Sequence, residues 1–241
     1  MGTNALILLG CGKSGRSEKV KTLVWQENGD PASGDVYETY YGGLSPAGGA
    51  YDLNTLSWVR TKTAGNGTTD CRYEWDDANK HWYVKAANAA SYRTAEYDIA
   101  LTGLSGIESI VSWKYVSGTG FGASSHQGVK IGTSGLVNYA WYYNYDNATT
   151  NRQFYCIVDG VTVYSNTYSG GTHQYDYTLS ISPSGDYEFK RDSTSLATGN
   201  VAWAASIAVC KIYGYTETGT PAYFSGATTN GWKNERIYTW I

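Results

Sequence analysis

The chain has 241 residues, 15% of them aromatic (Trp 9, Tyr 23, Phe 4), enough apolar area for a core without disulfide staples. Charged residues make up 16%, the formal net charge is −3 and Lys+Arg number only 18, which argues against a nucleic-acid or anionic-membrane partner. The same aromatic content argues against disorder, and no apolar run approaches the roughly 18 residues of a membrane-spanning helix.

Good helix formers are sparse while Tyr, Trp, Val, Ile and Thr recur among 29 glycines, so an all-β chain is expected. Residues 5–9 are apolar and run into Gly10-Cys11, but the stretch is shorter than the roughly 7–15 residues of a secretory leader core. It reads as an N-terminal strand or docking arm. Gly10-Cys11-Gly12-Lys13-Ser14 is not a phosphate loop, because Ile7 stands where the first glycine of that cradle is needed. Strand-like runs follow at 19–26, 35–41, 56–61, 71–75, 81–86, 92–101, 107–116, 128–132, 136–145, 152–158, 161–165, 174–182, 186–191, 201–215 and 236–240. Such spacing predicts an antiparallel two-sheet β-sandwich over 51–215, with an arm or extra strands at 1–50 and a C-terminal extension at 216–241.

Three turns are explicit. Asp76-Asp77-Ala78-Asn79-Lys80 and Asp159-Gly160 each separate two β-rich runs, and Pro183-Ser184-Gly185-Asp186 divides the alternating segments of 177–190. In 201–215 Val201, Trp203, Ala205, Ile207 and Val209 share one parity and the small Ala202, Ala204, Ser206, Ala208 and Cys210 the other, which predicts one long strand covered on both faces. Cys11, Cys71, Cys156 and Cys210 show no Cys-x-x-Cys spacing, so neither a zinc site nor a redox dithiol is expected. Pairing of Cys156 with Cys210 stays open.

The hairpin reads Leu179-x-Ile181-x-x-x-Gly185-x-Tyr187-x-Phe189, then Arg191-Asp192, Leu196-Ala197-Thr198-Gly199 and a closing Lys211-Ile212-Tyr213-Gly214. With these features, residues 92–215 resemble the concanavalin A-like jelly-roll sandwich of lectins, laminin-G-like modules and family-16-type glucanases. The resemblance implies the fold and says nothing of chemistry. A glucanase signature of that type needs Glu-x-Asp followed by a second Glu. Glu74-Trp75-Asp76 comes near it but lacks the second Glu, and retaining hydrolysis needs two carboxyls roughly 5–5.5 Å apart, so no catalytic residues are assigned. His81, His126 and His173 have no metal-ligand spacing, and no Gly-x-Ser-x-Gly elbow is present. Calcium is a candidate ion, because 144–151 (Asn-Tyr-Asp-Asn-Ala-Thr-Thr-Asn) is rich in oxygen ligands, although turn chemistry explains the same residues.

Tyr139, Trp141, Tyr143 and Tyr145 share one strand parity, and Ala140, Tyr142 and Asn144 the other. Two orientations fit: the odd row faces the core, or it forms an outer aromatic ledge with neighbours about 6.5–7 Å apart. In the second case Trp141, Tyr143 and Tyr145, with polar help from Asn144, Asp146 and Asn147, are the expected saccharide-binding residues. Loops 117–128 and 165–174, with Phe121, His126, Tyr168 and His173, suit either a ligand rim or a subunit contact.

The function expected on these grounds is non-catalytic carbohydrate recognition or attachment on an extracellular or virion surface. The partner is a glycan or cell-surface polysaccharide, and the protein a homo-oligomer or part of a larger array such as a tail fibre. Two other classes stand beside it: an oligomeric structural protein of a capsid, tail or fibre without a ligand, and a polysaccharide-acting glycoside hydrolase.

Overall fold

The structure is a computed structural model that describes residues 21–26, 59–62, 71–76, 81–86, 93–99, 104–116, 125–146, 152–168, 171–216 and 231–240. Side chains are described at 21, 104–113, 126–145, 153–168, 171–213 and 236–240. The described residues form fifteen strands. These are β1 (Lys21–Gln26), β2 (Val59–Lys62), β3 (Cys71–Asp76), β4 (His81–Ala86), β5 (Arg93–Ile99), β6 (Ile107–Val116), β7 (Ser125–Gly132) and β8 (Tyr139–Asp146). The rest are β9 (Arg152–Val158), β10 (Val161–Tyr168), β11 (Thr172–Ile181), β12 (Asp186–Arg191), β13 (Thr194–Asn200), β14 (Val209–Thr216) and β15 (Gly231–Trp240). The strand expected at 35–41 lies outside the described residues.

The strands build two antiparallel sheets. One runs β13-β12-β11-β6-β15-β4-β3, with β1 also pairing β15, and the other runs β10-β9-β8-β7-β14-β5-β2. This is the all-β, jelly-roll sandwich that the resemblance implied. Alternation decides which side chains meet between the sheets. Ile107, Val111 and Trp113 of β6 and Tyr177, Leu179 and Ile181 of β11 face Val129 and Ile131 of β7, Tyr142 of β8, Phe154 and Cys156 of β9 and Ile212 of β14, all of them buried. Phe154 lies flat on Tyr177 at 3.7 Å between centroids and meets Trp113 edge-on at 5.4 Å. Each such side chain contributes roughly 1.5–3 kcal/mol by burial. Three tyrosine hydroxyls in the core are paired: the Tyr142 hydroxyl meets Ser109 Oγ at 2.5 Å, and the Tyr168 hydroxyl bonds that of Tyr177 and accepts from Arg191.

Two hairpins follow the turn chemistry closely. Asp159 and Gly160 both have positive φ (47° and 79°), the pattern of a two-residue loop of type I′ between β9 and β10. At the β11–β12 turn Gly185 has φ 94°, and a Cβ there would lie 2.1 Å from the carbonyl oxygen of Val201. The long strand expected at 201–215 is shorter than that. Residues 204–206 form a 3-10 turn, Trp203 Nε1 donates to both oxygens of Asp159 (3.0 and 3.1 Å), and β14 starts at Val209. Ala204, Ala205 and Ser206 carry little strand preference, and the Trp203–Asp159 bond anchors the chain beside them.

Strand β13 was not expected, since Thr-Ser-Leu-Ala-Thr-Gly-Asn has little β-branched or aromatic content. It pairs β12 through a bulged edge ladder. Residues 231–240, set within the expected C-terminal extension, form β15 inside a sheet, paired with β6 on one side and with β4 and β1 on the other. Cys156 and Cys210 are buried free thiols on β9 and β14, with β8 and β7 between them. At about 4.8 Å per strand step, that separation is beyond disulfide reach.

Candidate functional site

On β8 the even residues Ala140, Tyr142 and Asn144 are 0%, 0% and 2% exposed and face the core. The odd residues Tyr139, Trp141, Tyr143 and Tyr145 therefore stand on the outer face of the seven-stranded sheet. Antiparallel register brings neighbours of the same face beside them. Tyr143 is flanked by Tyr155 of β9 and Gly128 of β7, Trp141 by Ile157 and Lys130, and Tyr145 by Gln153 and His126. On the far side of β7, Tyr213 of β14 is opposite Gly128.

The rings do not stand apart as a ledge of 6.5–7 Å steps. Trp141 and Tyr143 stack at 4.0 Å, Tyr143 and Tyr155 at 5.3 Å, and Tyr143 and His126 at 5.1 Å. Gly128 is the cause. A Cβ there would lie 2.6 Å from the Cβ of Tyr143, so the bare glycine backbone lets that ring lean inward among its neighbours. Tyr143 and Tyr213 are left 9% and 7% exposed, while Tyr139, Trp141, Tyr145 and Tyr155 keep part of their surface open. The result is a paved aromatic floor whose free parts are ring edges, outer ring faces and phenol hydroxyls.

Its charges are set by the rings. Lys130 Nζ lies 3.8 Å from the Tyr213 centroid and 4.6 Å from that of Trp141, a doubly placed cation–π contact. Burial, reinforced by Lys130, lowers the His126 pKa to about 4, so the imidazole is neutral at pH 7. Burial and the neighbouring phenols push Tyr143 up to about 12. The Tyr155 hydroxyl donates to Gln153 Oε1 at 2.5 Å, while Trp141 Nε1 is buried and finds no acceptor.

The expected site residues divide. Trp141, Tyr143 and Tyr145 are brought together on the outer face. Asn144 is not with them: strict period-2 alternation turns it inward, where its Oδ1 lacks a partner beside a cavity of about 10 Å³ lined by Trp113, Gln127, Tyr142 and Phe154. That cavity has room for about one water. Asn144 therefore neither supports a ligand on the ring row nor offers its oxygen to a surface calcium ion. Asp146 is the last residue of β8 and the register partner of Ser125 and Arg152. Asn147 and the rest of the loop expected to hold calcium lie outside the described residues, as does Phe121. Among the described residues no group of three His, Cys, Asp or Glu is arranged to hold a metal. Tyr168 and His173 belong to another cluster, with Tyr175 and Arg191 at one end of the core.

Sequence reasoning missed Tyr155, Lys130 and Tyr213, because cross-strand register is invisible until the strands are paired. It also missed Glu96-Tyr97-Asp98 on β5, a second Glu-x-Asp, whose two acids are the register partners of Tyr213 and Lys211. The alternation was readable, but nothing in the sequence joined β5 to the ring row.

No family model matches the chain and no curated protein matches it. Solved structures do. A structure described as the "CBM2 module of Lactobacillus casei BL23 phage J-1 evolved Dit" is similar at a TM-score of 0.53 and 10% identity, covering 92% of this chain and 97% of that one. The T. cruzi calreticulin globular domain is similar at 0.51 and 11% identity, covering 90% and 87%. The carbohydrate recognition domain of Emp47p gives 0.48 and 10% identity, covering 95% and 100%. At these identities the likeness is one of fold.

Proposed function

We propose that this protein is a non-catalytic carbohydrate-recognition or attachment module that binds glycan on the outer face of the seven-stranded sheet. The observation that carries the reading is the aromatic floor of Trp141, Tyr143, Tyr145 and Tyr155, flanked by Lys130 and Gln153. Sugar C–H faces stack on outer ring faces, and phenol and amide groups bond hydroxyls. Tyr143 sits in the middle of the stack and acts by positioning its neighbours; Trp141, Tyr145 and Tyr155 make the contact. Rings held in a stack lose little freedom on binding, which lowers the entropic cost. One such floor implies micromolar to millimolar affinity per site, raised if the module is arrayed. The fold shared with a module of a phage Dit supports placing it on an extracellular or virion surface, as one unit of a homo-oligomer or larger assembly. No helix among the described residues is long and apolar enough to cross a membrane.

The experiment is titration of the full chain against a glycan array, followed by calorimetry on the hits. A signal lost in Trp141→Ala and Tyr145→Ala supports the reading. A stable multimer with no glycan signal instead supports a purely structural protein.

A second reading is a glycoside hydrolase; Glu96-Tyr97-Asp98 on β5 has the same Glu-x-Asp spacing as 74–76 and, like it, is not followed by a second Glu. Release of reducing ends from a bound polysaccharide, abolished by Glu96→Gln with binding retained, would replace the non-catalytic reading.

A further inference from the structure

The outer face of the eight-stranded sheet carries a different feature, an open groove of about 670 Å³ that reaches from Asn200 of β13 across β12 and β11 to Trp240 at the end of β15. Its lining is the Trp240 indole and the Tyr187 ring, the carboxylates of Asp186 and Glu188, the Asn200 amide, the hydroxyls of Ser180, Ser182 and Thr198, and Gly199. We propose that this groove is a second saccharide subsite, for an uncharged sugar residue that rests on Trp240 and offers vicinal hydroxyls to Asp186 and Asn200. It stands independently of the ring row, which lies on the other sheet.

The Asp186 carboxylate is held in place before any ligand arrives. Asn200 Nδ2 donates to its Oδ1 at 3.0 Å and Ser184 Oγ to its Oδ2 at 2.8 Å, while its backbone N–H donates to Ser182 Oγ at 3.1 Å. Each carboxylate oxygen accepts more than one bond, so both retain capacity for an incoming hydroxyl. The donors on Asp186 are neutral, whereas Glu188 beside it is paired with Lys190 Nζ at 2.6 Å. Those neutral donors keep the Asp186 pKa below its ordinary value, so it stays an acceptor in mildly acid solution. Asp186, Thr198 and Asn200 are exposed, and Trp240 keeps part of its ring open. The volume falls in the range of small-molecule sites, and the polar groups converge on one aromatic surface. A uronate or phosphate would meet two carboxylates here, which excludes anionic ligands. An amino sugar is the chemical competitor, since an ammonium would suit both Asp186 and the indole.

The test uses the full chain in wild-type and Trp141→Ala backgrounds, with Tyr145→Ala in place of the latter should it fail to fold. Ligands are neutral gluco-, galacto- and manno-oligosaccharides of three to six residues, chitosan oligomers and oligogalacturonate, read by calorimetry and ligand-observed NMR. The expected result is a neutral oligosaccharide that still binds the ring-row variant. Asp186→Asn, or Thr198→Leu, which fills the groove and leaves the hydrogen bonds on Asp186 intact, then weakens it at least about tenfold. Trp240→Phe keeps affinity within a few-fold. Absence of any neutral-sugar binding in the ring-row variant overturns the subsite, as does binding indifferent to both groove substitutions. A preference for chitosan oligomers overturns the uncharged class. Loss of glycan binding in Trp141→Ala with none in the groove leaves the ring-row reading standing and removes this one.

Discussion

The two outer faces of the sandwich solve the same problem in opposite ways. On the seven-stranded sheet the exposed parity is filled by stacked rings, with Lys130 seated on two of them and a neutral His126 buried beside them. On the eight-stranded sheet the described positions carry mainly short hydroxyls and opposed charges, Ser180, Thr198, Glu188 with Lys190, and Lys21 with Glu108, and the rings of Tyr238 and Trp240 are confined to β15. A stacked face gains from close packing and is sensitive to shape, whereas a hydrated face of small side chains tolerates change. The difference teaches that exposure alone does not define a recognition surface. The ring row is partly buried by itself, and that burial makes it rigid.

The sharpest way to break the contrast is at Gly128. Adding a side chain in Gly128→Val sets Cβ atoms 2.1 Å from the Tyr142 carbonyl oxygen and 2.6 Å from Tyr143. The expected loss is about 3 kcal/mol in denaturant unfolding. Thr198→Val, an exposed strand position on the other sheet, should stay within about 0.5 kcal/mol.

Next comes pH. The folded His126 pKa of about 4 lies below its unfolded value of 6.5, so between these limits the unfolded chain binds the extra proton. Stability from this group is fully present above about pH 6.5 and falls as the pH drops toward 4, by roughly 2–3 kcal/mol. Chemical unfolding across that window should show the slope in wild type and a flatter curve in His126→Gln. An identical slope in the variant would mean that the acid sensitivity comes from elsewhere.

Smaller effects sharpen the picture. Trp141→Ala should cost about 1–2 kcal/mol, the worth of one stacked partner, a cation–π contact and partial burial. A loss of 3–5 kcal/mol would mark Trp141 as a core residue instead. Lys190→Gln, which breaks a surface ion pair on the opposite face, should change the unfolding midpoint by an amount equivalent to less than about 0.5 kcal/mol.

Local chemistry was legible in the sequence wherever it was strong. The Asp159-Gly160 and Pro183–Asp186 turns, the alternation of β11 and β12, and the parity of β8 all read directly, because turn φ values and period-2 patterning are local properties. The choice of which β8 parity faced outward was not readable. Tyr142 turns inward, where its hydroxyl and Ser109 Oγ of the opposing sheet, 33 residues away in the chain, share a hydrogen bond. The lean of Tyr143 over Gly128 and the meeting of Lys130 with Tyr213 depend on strand pairing in the same way. Asn144 was misplaced because contiguity in sequence was taken for contiguity on a face, which in a strand holds for every second residue. Across 201–210 the large residues do share one parity, but Ala204, Ala205 and Ser206 are all small and form the 3-10 turn beside the Trp203 bond to Asp159.

On the proposed function, glycan binding runs through the ring row of the seven-stranded sheet. Calorimetric titration of a glycan-array hit into wild type and Trp141→Ala, with near-ultraviolet circular dichroism on both, tests it most directly. The expected result is a folded variant whose affinity has fallen at least about tenfold, the loss for removing an aromatic anchor. A folded variant that binds the same glycan with unchanged affinity would contradict it.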